Sequence, residues 1–229
     1  MCIRDRGTRV TRLRRTSDVW QVETEAGVSF GARKVVVATN AYTDGLLPGL
    51  AQTIVPLNSF QIATAPLPED LRHQILPEGQ AVSDSRRILV YFRRSPDGRF
   101  MLGGRGRMSG PRSAADFAHL ERAMVRLYPA LHGIPVEHRW FGRVAMTTNH
   151  LPHIHEPEPG LIAAIGCQGR GIGLMTALGA RLAIYAASGD ERDLPFPVTP
   201  VRRIPFHRFR RIGLAGLIAC YRTLDRLQR

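Results

Sequence analysis

Alternating and continuous runs of apolar residues divide the N-terminal part of the chain into two kinds of strand. Residues 8–13 and 19–24 alternate apolar with polar side chains and are followed by a short run at 28–33, which predicts a small antiparallel meander. Residues 34–39 form instead a continuous run, Lys-Val-Val-Val-Ala-Thr. Such a run is typical of a strand buried on both faces, and the polar segment 40–43 is predicted to turn away from its end.

The middle of the chain differs in composition and begins with a cluster of prolines, at positions 48, 56, 66 and 68. Short apolar runs predict strands at 54–55, 60–64, 88–93, 99–103 and 136–141, with a hairpin turn across 95–98. Ser113 is a predicted helix N-cap with Asp116 three residues later. The apolar helical face that follows consists of Phe117, Leu120, Met124, Leu127, Tyr128 and Leu131, and the helix is predicted to end near Pro129 and to pack on an antiparallel sheet.

The segment 161–189 predicts a strand, a glycine-rich turn and a helix in direct succession. Leu161 to Ile165 is apolar, four glycines lie between positions 166 and 173, and residues 174–188 contain no proline before Gly189. Unpaired N–H groups and the positive end of the helix dipole therefore meet at one point, which attracts an anion or a polarised carbonyl oxygen. An ordinary glycine-rich connection explains the same spacing, because it is neither a Walker motif nor an ordered G-x-G-x-x-G.

The last segment, 191–229, is a tail with four prolines followed by a predicted helix at 212–227. The predicted apolar face of that helix consists of Leu214, Leu217, Ile218, Tyr221 and Leu224, with arginines beside it. Two interpretations remain open. The helix docks on the rest of the chain, or it binds a membrane surface or a partner helix.

Composition narrows the possible functions. The 229 residues are 44% hydrophobic, enough for one large domain or two small ones, and carry a formal net charge of +13. The arginines are dispersed without interleaved aromatic residues, so no specific nucleic-acid binding is expected. Three cysteines without a C-x-x-C pair favour a reduced, cytoplasmic protein, and no apolar run of roughly 18 residues predicts a transmembrane segment. His150, His153 and His155 surround Pro152 in a predicted turn, and no metal site is expected there.

Four motifs, taken together and in order, resemble one enzyme family. They are Lys34-Val-Val-Val-Ala-Thr-Asn-Ala-Tyr-Thr43, Gly98-Arg-Phe-Met-Leu-Gly-Gly104, Trp140-Phe-Gly142 with Thr148-Asn-His-Leu-Pro152, and Gly166-Cys-Gln-Gly-Arg-Gly-Ile-Gly173. The chain is similar to the C-terminal two-thirds of FAD-dependent oxidoreductases of the D-amino-acid oxidase, glycine oxidase and sarcosine oxidase superfamily. Within it, Asn40-Ala-Tyr42 and the Gly169-Arg-Gly171 loop most resemble the branch near gamma-glutamylputrescine oxidoreductase.

The resemblance implies an α/β and α+β fold. Part of a Rossmann-like FAD-binding domain, at 7–50 and 151–190, is expected to be interrupted by an antiparallel β-sheet substrate domain with packed helices at 51–150. It also implies non-covalent FAD, because no cysteine lies near Val144 to Met146, where some relatives attach flavin. The implied reaction is hydride transfer from an amine or amino acid to flavin.

The resemblance also assigns roles to individual residues. Val10, Thr39 and Asn40 are expected near the adenosine part of FAD, and the glycine loop near the flavin's pyrimidine edge, through Gly166, Gly169, Arg170, Gly171, Ile172, Gly173 and Leu174. Tyr91, Arg93 and Trp140 are expected to bind substrate, and Arg170 and Tyr91 to act in catalysis. Simpler roles stay open, with Val10 as strand packing, Tyr91 and Trp140 as core aromatic residues, and Arg170 as a surface cation.

One departure from the family pattern bears on function. Family members begin with a βαβ unit that carries G-x-G-x-x-G for the FAD pyrophosphate, and the 229 residues contain no such motif. The chain is therefore expected to be a fragment. An inactive fragment or a basic, non-enzymatic binding module is the alternative to an amine-oxidising enzyme.

Overall fold

The computed structural model describes residues 6–227, apart from the side chain of Arg226. The chain forms two compact units, each discontinuous in sequence. Unit 1 takes in the residues up to Pro56 and Val144–His207, and unit 2 takes in Leu57–Arg143 and the residues from Arg208 onward. The division differs from the predicted boundaries, because residues 51–56 and 144–150 belong to unit 1 and the predicted tail is split between the two units.

The mixed α/β and α+β class is confirmed by the order of the elements. The strands are β1 (Val10–Thr16), β2 (Val19–Thr24), β3 (Ser29–Ala32), β4 (Val35–Val37), β5 (Val55–Pro66), β6 (Val82–Ser83), β7 (Val90–Arg94), β8 (Arg99–Arg105), β9 (Val136–Met146), β10 (His153–Glu158) and β11 (Leu161–Ile165). The α-helices are α1 (Glu69–Gln74), α2 (Ala118–Leu127), α3 (Thr176–Ser188) and α4 (Arg210–Leu227).

Unit 1 contains two three-stranded sheets. The predicted meander is confirmed as the antiparallel sheet β1-β2-β3, and the second sheet has the order β10-β11-β4. In the second sheet β4 runs parallel to β11, whereas β10 is antiparallel to it. The prediction that the valine run is buried on both faces is wrong, because Val36 in the centre of β4 is 44% exposed. Within the described residues β4 is an edge strand, so one side of it has no neighbouring strand to cover Val36.

The core of unit 1 joins β11 to α3. All five residues of β11 are buried, as the apolar run predicts. Leu178, Leu182 and Tyr185 of α3 pack in one cluster with Ile154, Ile162 and Ala164 of the sheet. The Tyr185 hydroxyl donates to Glu156 on β10, and α3 ends at the predicted left-handed cap Gly189, whose φ is 74°. The sheet therefore fixes both the direction of α3 and the position of its first turn.

One stretch in unit 1 meets the length and composition of a membrane span. Among the described residues this stretch is Gly171–Ser188. The sequence analysis predicted no transmembrane segment and did not identify this stretch. Its buried residues Leu178, Leu182 and Tyr185 belong to the core cluster just described. Length and apolar composition alone are weak grounds for a membrane span, because the core helix of an α/β domain meets the same two criteria.

Unit 2 is built on a five-stranded antiparallel sheet with the order β6-β7-β8-β5-β9. The predicted hairpin joins β7 to β8, and the run at 60–64 and Val55 of the run at 54–55 belong to one continuous strand. Leu120 and Met124 of α2 pack on the face of the sheet that carries Phe60, Phe100 and Leu102. The predicted capping box of Ser113 and Asp116 is present, in a short 3₁₀ turn that leads into α2. Leu127 is 37% exposed, so its predicted place on the buried face is wrong.

Helix α4 is docked on unit 2 through only part of its apolar surface. Ile218 is buried, and Leu214 and Tyr221 are half-buried. Near the end of the helix the Asp225 carboxylate accepts hydrogen bonds from the backbone N–H groups of Arg87 and Ile88, at 3.1 and 3.2 Å. Leu217 and Leu224, predicted on the same face, are 46% and 36% exposed. The apolar residues of α4 therefore lie on two faces, of which one is docked.

Candidate functional site

The first half of the glycine loop is held by the fold of unit 1 itself. Gly166 and Gly169 have φ angles of 98° and 77°, which favour glycine, and the intervening Gln168 also has a positive φ of 50°. A Cβ on Gly166 would lie 2.6 Å from a Thr147 methyl group. The N–H of Gln168 donates to the Ala145 carbonyl at 3.0 Å. Packing and backbone conformation therefore explain the first two glycines without any ligand.

The second half of the loop has no such explanation. Gly171 and Gly173 do not have positive φ angles, and a Cβ on Gly171 would meet only Cys167, at an ordinary 3.9 Å. A Cβ on Gly173 would meet nothing within 4 Å. In the described structure the N–H groups of residues 171–173 have no acceptor, as expected for the first turn of a helix. The backbone here has no side chains at positions 171 and 173 and carries open donors.

Asn40 ties the end of β4 to the start of this loop. Its Oδ1 accepts a hydrogen bond from the Gly166 N–H at 3.1 Å. Its φ is 45°, a left-handed conformation that asparagine adopts more readily than most residues. Because β4 and β11 are parallel neighbours, their carboxyl ends lie at the same edge of the sheet, where ligands bind in open α/β folds. The structure thus brings together two segments that the sequence predicted separately as cofactor-binding.

Two cavities lie beside the open edge of β4, and Val36 and Ala38 line both. A cavity of about 530 Å³ is lined by Asn40, Gly171 and Met175 together with Gly179, Leu182 and Ala183 of α3. A second, of about 300 Å³, is lined by Val10, Thr39 and Asp44, among others. The residues predicted at the adenosine end, Val10 and Thr39, therefore share one cavity, whereas Asn40 and the loop share the other.

The remaining loop residues differ in exposure. Arg170 is exposed, and no carboxylate lies within ion-pair distance of it in residues 6–227. Its backbone N–H donates to the Cys167 carbonyl at 2.8 Å and closes a turn. Ile172 is 93% exposed, whereas Leu174 is half-buried and its N–H donates to the Arg170 carbonyl. The loop therefore presents one cation and one large apolar side chain to solvent.

In unit 2 the predicted substrate residues Tyr91 and Arg93 lie on the sheet face opposite α2. Both line a cavity of about 130 Å³ together with Gln61, Met101 and Gly103. The Tyr91 ring lies over Gly103, where a Cβ would overlap it. Trp140 is 37% exposed on β9 and is not among the residues that line this cavity. Its neighbour Phe141 packs on Phe60, so strand alternation directs Trp140 to the Tyr91 side of the sheet.

The sequence prediction missed polar partners on this same face. Ser59 Oγ lies 2.5 Å from the Tyr91 hydroxyl, and Gln61 Nε2 donates to that hydroxyl at 3.4 Å. Arg105 is paired with Ser59 across the strands and is half-buried, and its Nε has no hydrogen-bond acceptor. Burial, reinforced by the charge of Arg222, lowers the pKa of Arg105. Alternation with Gly103 along β8 is the sequence signal that could have placed Arg105 on this face.

Of the three histidines predicted in a turn, His150 lies in a bend, and the other two lie in a strand. His153 and His155 belong to strand β10, with ring centroids 5.8 Å apart. His155 is buried, and its Nδ1 donates to the Thr199 carbonyl at 2.7 Å. Burial lowers the pKa of His155, with the hydrogen bond to Thr199 opposing that effect. The described residues contain no group of three or more potential metal ligands.

Comparison with known proteins assigns this arrangement to a family. The profile described as FAD dependent oxidoreductase matches residues 6–184. A probable oxidoreductase OrdL from Rhizobium meliloti (strain 1021) is 32% identical, over 82% of this chain and 43% of its own length. Gamma-glutamylputrescine oxidoreductase from Escherichia coli (strain K12) is 32% identical, over 86% of this chain and 46% of its own.

Solved structures give the same fold. Glycine oxidase from Geobacillus kaustophilus superposes with a TM-score of 0.66 at 22% identity, over 86% of this chain and 52% of that one. This chain spans less than half the length of the two curated relatives, and not the two-thirds expected from the sequence. The family match covers the meander, the whole first segment of unit 2 and the glycine loop, and it makes FAD the cofactor. The chain belongs to the family of FAD dependent oxidoreductases of the D-amino-acid oxidase type.

Proposed function

We propose that this chain forms part of an enzyme that oxidises an amine or amino acid by hydride transfer to non-covalently bound FAD. Among its relatives are proteins named for gamma-glutamylputrescine and for glycine, an amine and an amino acid. FAD, when bound, supplies the hydride acceptor. The protein supplies orientation and electrostatic stabilisation.

The observation that carries the proposal is the pair of glycines at 171 and 173. Neither backbone conformation nor packing in the described structure requires glycine at these two positions. A bare backbone is needed where a flat ligand approaches to hydrogen-bond distance, about 3 Å. The cavity beside Gly171 and Asn40, of about 530 Å³, gives such a ligand room. The residues present therefore fit contact with one edge of a flavin.

The same segment supplies positive charge for the reaction. Three N–H groups without acceptors and the N-terminal end of the helix dipole point out of the loop, and Arg170 adds a full cation without a carboxylate partner. Donors fixed in advance stabilise negative charge that develops during hydride transfer without any reorganisation. Asn40 acts as a positioning residue, because its hydrogen bond to Gly166 holds the loop beside the end of β4.

We assign substrate contact to the open sheet face of unit 2. Tyr91 presents a hydroxyl that is already held by Ser59, and Arg93 lies two residues along the same strand. A hydroxyl fixed by a neighbour can donate to or accept from a substrate without losing its position. Arg105 gives this face a cation without a carboxylate partner in residues 6–227, which suits a substrate that carries a carboxylate. Trp140 adds an aromatic wall on the same side of the sheet.

The test combines this chain with the dinucleotide-binding half of a homologous enzyme. In the combined protein Gly171→Val should abolish flavin binding or slow flavin reduction, because the side chain occupies the space of the approaching ring. Gly45→Val is the matched control, since Gly45 also has open space around it and no positive φ. Unfolding of the isolated chain should be unchanged in both variants, which separates loss of binding from loss of fold.

Arg170→Ala distinguishes two roles for the cation. Slowing of the limiting reduction rate by about tenfold to a thousandfold indicates stabilisation of the reduced flavin. A change confined to the substrate dependence indicates binding of a substrate carboxylate instead. Stopped-flow reduction by saturating amine measures both. Unchanged flavin affinity and reduction in Gly171→Val would show that the loop is only a connection.

A further inference from the structure

Helix α4 exposes an apolar face that residues 6–227 do not cover. Ile212, Gly216, Cys220, Leu224 and Leu227 follow one another at intervals of three or four residues, so they lie along one side of the helix. Ile212 and Leu227 are 72% and 77% exposed, and Leu217 beside them is 46% exposed. This side of an 18-residue helix therefore exposes large apolar side chains near both ends, with the small residues Gly216 and Cys220 between them.

This face is not available for folding back on unit 2, because the helix is already held by the opposite side. Leu214, Ile218 and Tyr221 form the docked side, and Asp225 continues it by accepting the N–H groups of residues 87 and 88. These four positions follow the same helical spacing, displaced around the helix from the exposed row. The contacts of the docked side thus orient α4 so that the exposed row faces away from the sheet.

Positive charge borders the exposed face. Arg211 and Arg222 are exposed and lie between the docked side and the apolar row, and Arg208 precedes the helix with its guanidinium over the Phe209 ring, at 4.6 Å from the centroid. Phe209 is itself 48% exposed. The only acid in α4, Asp225, is engaged with backbone amides on the docked side. The exposed surface of this helix therefore combines apolar side chains and cations without a carboxylate.

We infer that α4 binds the surface of an anionic membrane, with the helix in the plane of the interface and the exposed row inserted among the acyl chains. An apolar row bordered by arginines and accompanied by an exposed aromatic residue is the arrangement that interfacial helices share. Arginines at the border contact lipid phosphates, whereas a protein partner of matching shape would require acids to pair with them. The inference is independent of the proposed oxidation, because it concerns a different surface and does not require flavin.

The experiment is co-sedimentation of the 229-residue chain with lipid vesicles. The chain should partition onto phosphatidylcholine vesicles that contain phosphatidylglycerol, and much less onto phosphatidylcholine alone. The double variant Leu217→Glu and Leu224→Glu should lower the partition coefficient by about tenfold or more, because it places one charge in the apolar row and one beside it. A double variant of exposed residues in unit 1, Val28→Glu and Phe30→Glu, changes the net charge equally and should change the coefficient by less than about twofold.

Four results would overturn the inference. The chain fails to bind the anionic vesicles, or it binds them equally well in the two double variants. Light scattering shows a dimer that the Leu217→Glu and Leu224→Glu variant dissociates, which would make the face a contact between copies. The chain binds but the combined protein with a dinucleotide-binding half does not, which would make the face internal to the enzyme. Circular dichroism of each variant checks that α4 and the sheets remain folded.

Discussion

Two glycines in unit 2 lie beneath aromatic rings, and the same substitution should have different effects at each. A Cβ on Gly106 would lie under 3.0 Å from the Phe60 ring, and a Cβ on Gly103 would lie equally close to Tyr91. Neither glycine has a positive φ, so alanine introduces no backbone strain. Replacing a glycine that has ordinary backbone angles by alanine would otherwise stabilise the fold by about 0.4–1 kcal/mol.

The difference lies in what each ring can do. Phe60 is fully buried between Phe117 and Phe141, with ring centroids 4.7 and 5.9 Å away, so it has no free direction in which to move. Overpacking of this kind costs about 1–3 kcal/mol. Tyr91 lies on the open face and can swing outward, at the cost of its hydrogen bond to Ser59, about 1 kcal/mol. Gly106→Ala should therefore lower the free energy of unfolding by about 1–2 kcal/mol, whereas Gly103→Ala should be nearly neutral.

Urea unfolding of unit 2 measures both values, followed by Trp140 fluorescence in a Trp20→Phe background common to all variants. Adding Phe60→Leu to Gly106→Ala should recover part of the loss, because leucine leaves space for the new methyl group. In the combined enzyme Gly103→Ala should still impair substrate binding, since Tyr91 has left its place. Equal stabilities of the two alanine variants would refute the reasoning, because they would show that the buried ring adjusts as freely as the exposed one.

Three further outcomes are expected. The isolated chain should lose FAD on dialysis, because its 229 residues contain no G-x-G-x-x-G to hold the pyrophosphate; stoichiometric flavin absorbance after dialysis would contradict this. The free energy of unfolding of unit 1 should fall as the pH falls below about 6.5, by at most about 1.4 kcal/mol per pH unit. The reason is that burial lowers the pKa of His155 in the folded state, so the unfolded state binds a proton more readily. His155→Asn should flatten this pH dependence, as measured by urea unfolding. Binding to DNA, if detected by anisotropy, should be indifferent to sequence and lost with added salt; sequence-selective binding at physiological salt would contradict it.

Local sequence patterns predicted the elements whose boundaries are determined by neighbouring residues in the chain. The five apolar residues 161–165, the glycines after them and the cap at Gly189 give β11, the loop and α3 almost as expected. The hairpin at 95–98 and the capping box at Ser113 are equally local. In each case the signal is a backbone preference or a periodicity that does not depend on distant partners.

Features set by distant partners could not be predicted in this way. The sequence cannot say that β4 is an edge strand, because three valines look alike whether or not a neighbour covers them. Pro152 before strand β10 and Pro157 within it favour a turn in the sequence, yet pairing with β11 overrides that signal. In α4 apolar residues occupy both sides of the helix, so their periodicity could not decide which side docks. The docked side is identified by the hydrogen bonds of Asp225 to residues 87 and 88, which the sequence does not show.

The glycine loop shows how structure sharpens a motif that the sequence leaves ambiguous. Gly166 and Gly169 have positive φ angles that favour glycine whether or not a ligand binds, so they carry no information about a ligand. Gly171 and Gly173 lack that reason, although glycine weakens the start of a helix by about 1 kcal/mol relative to alanine. A glycine that destabilises a helix and that neither backbone conformation nor packing requires is expected where function needs it. The second pair therefore supports flavin contact, and the first pair does not. Gly173→Ala should accordingly stabilise the isolated chain by up to about 1 kcal/mol in urea unfolding while weakening flavin binding in the combined enzyme. Loss of stability in the isolated chain would show instead that the fold itself requires this glycine.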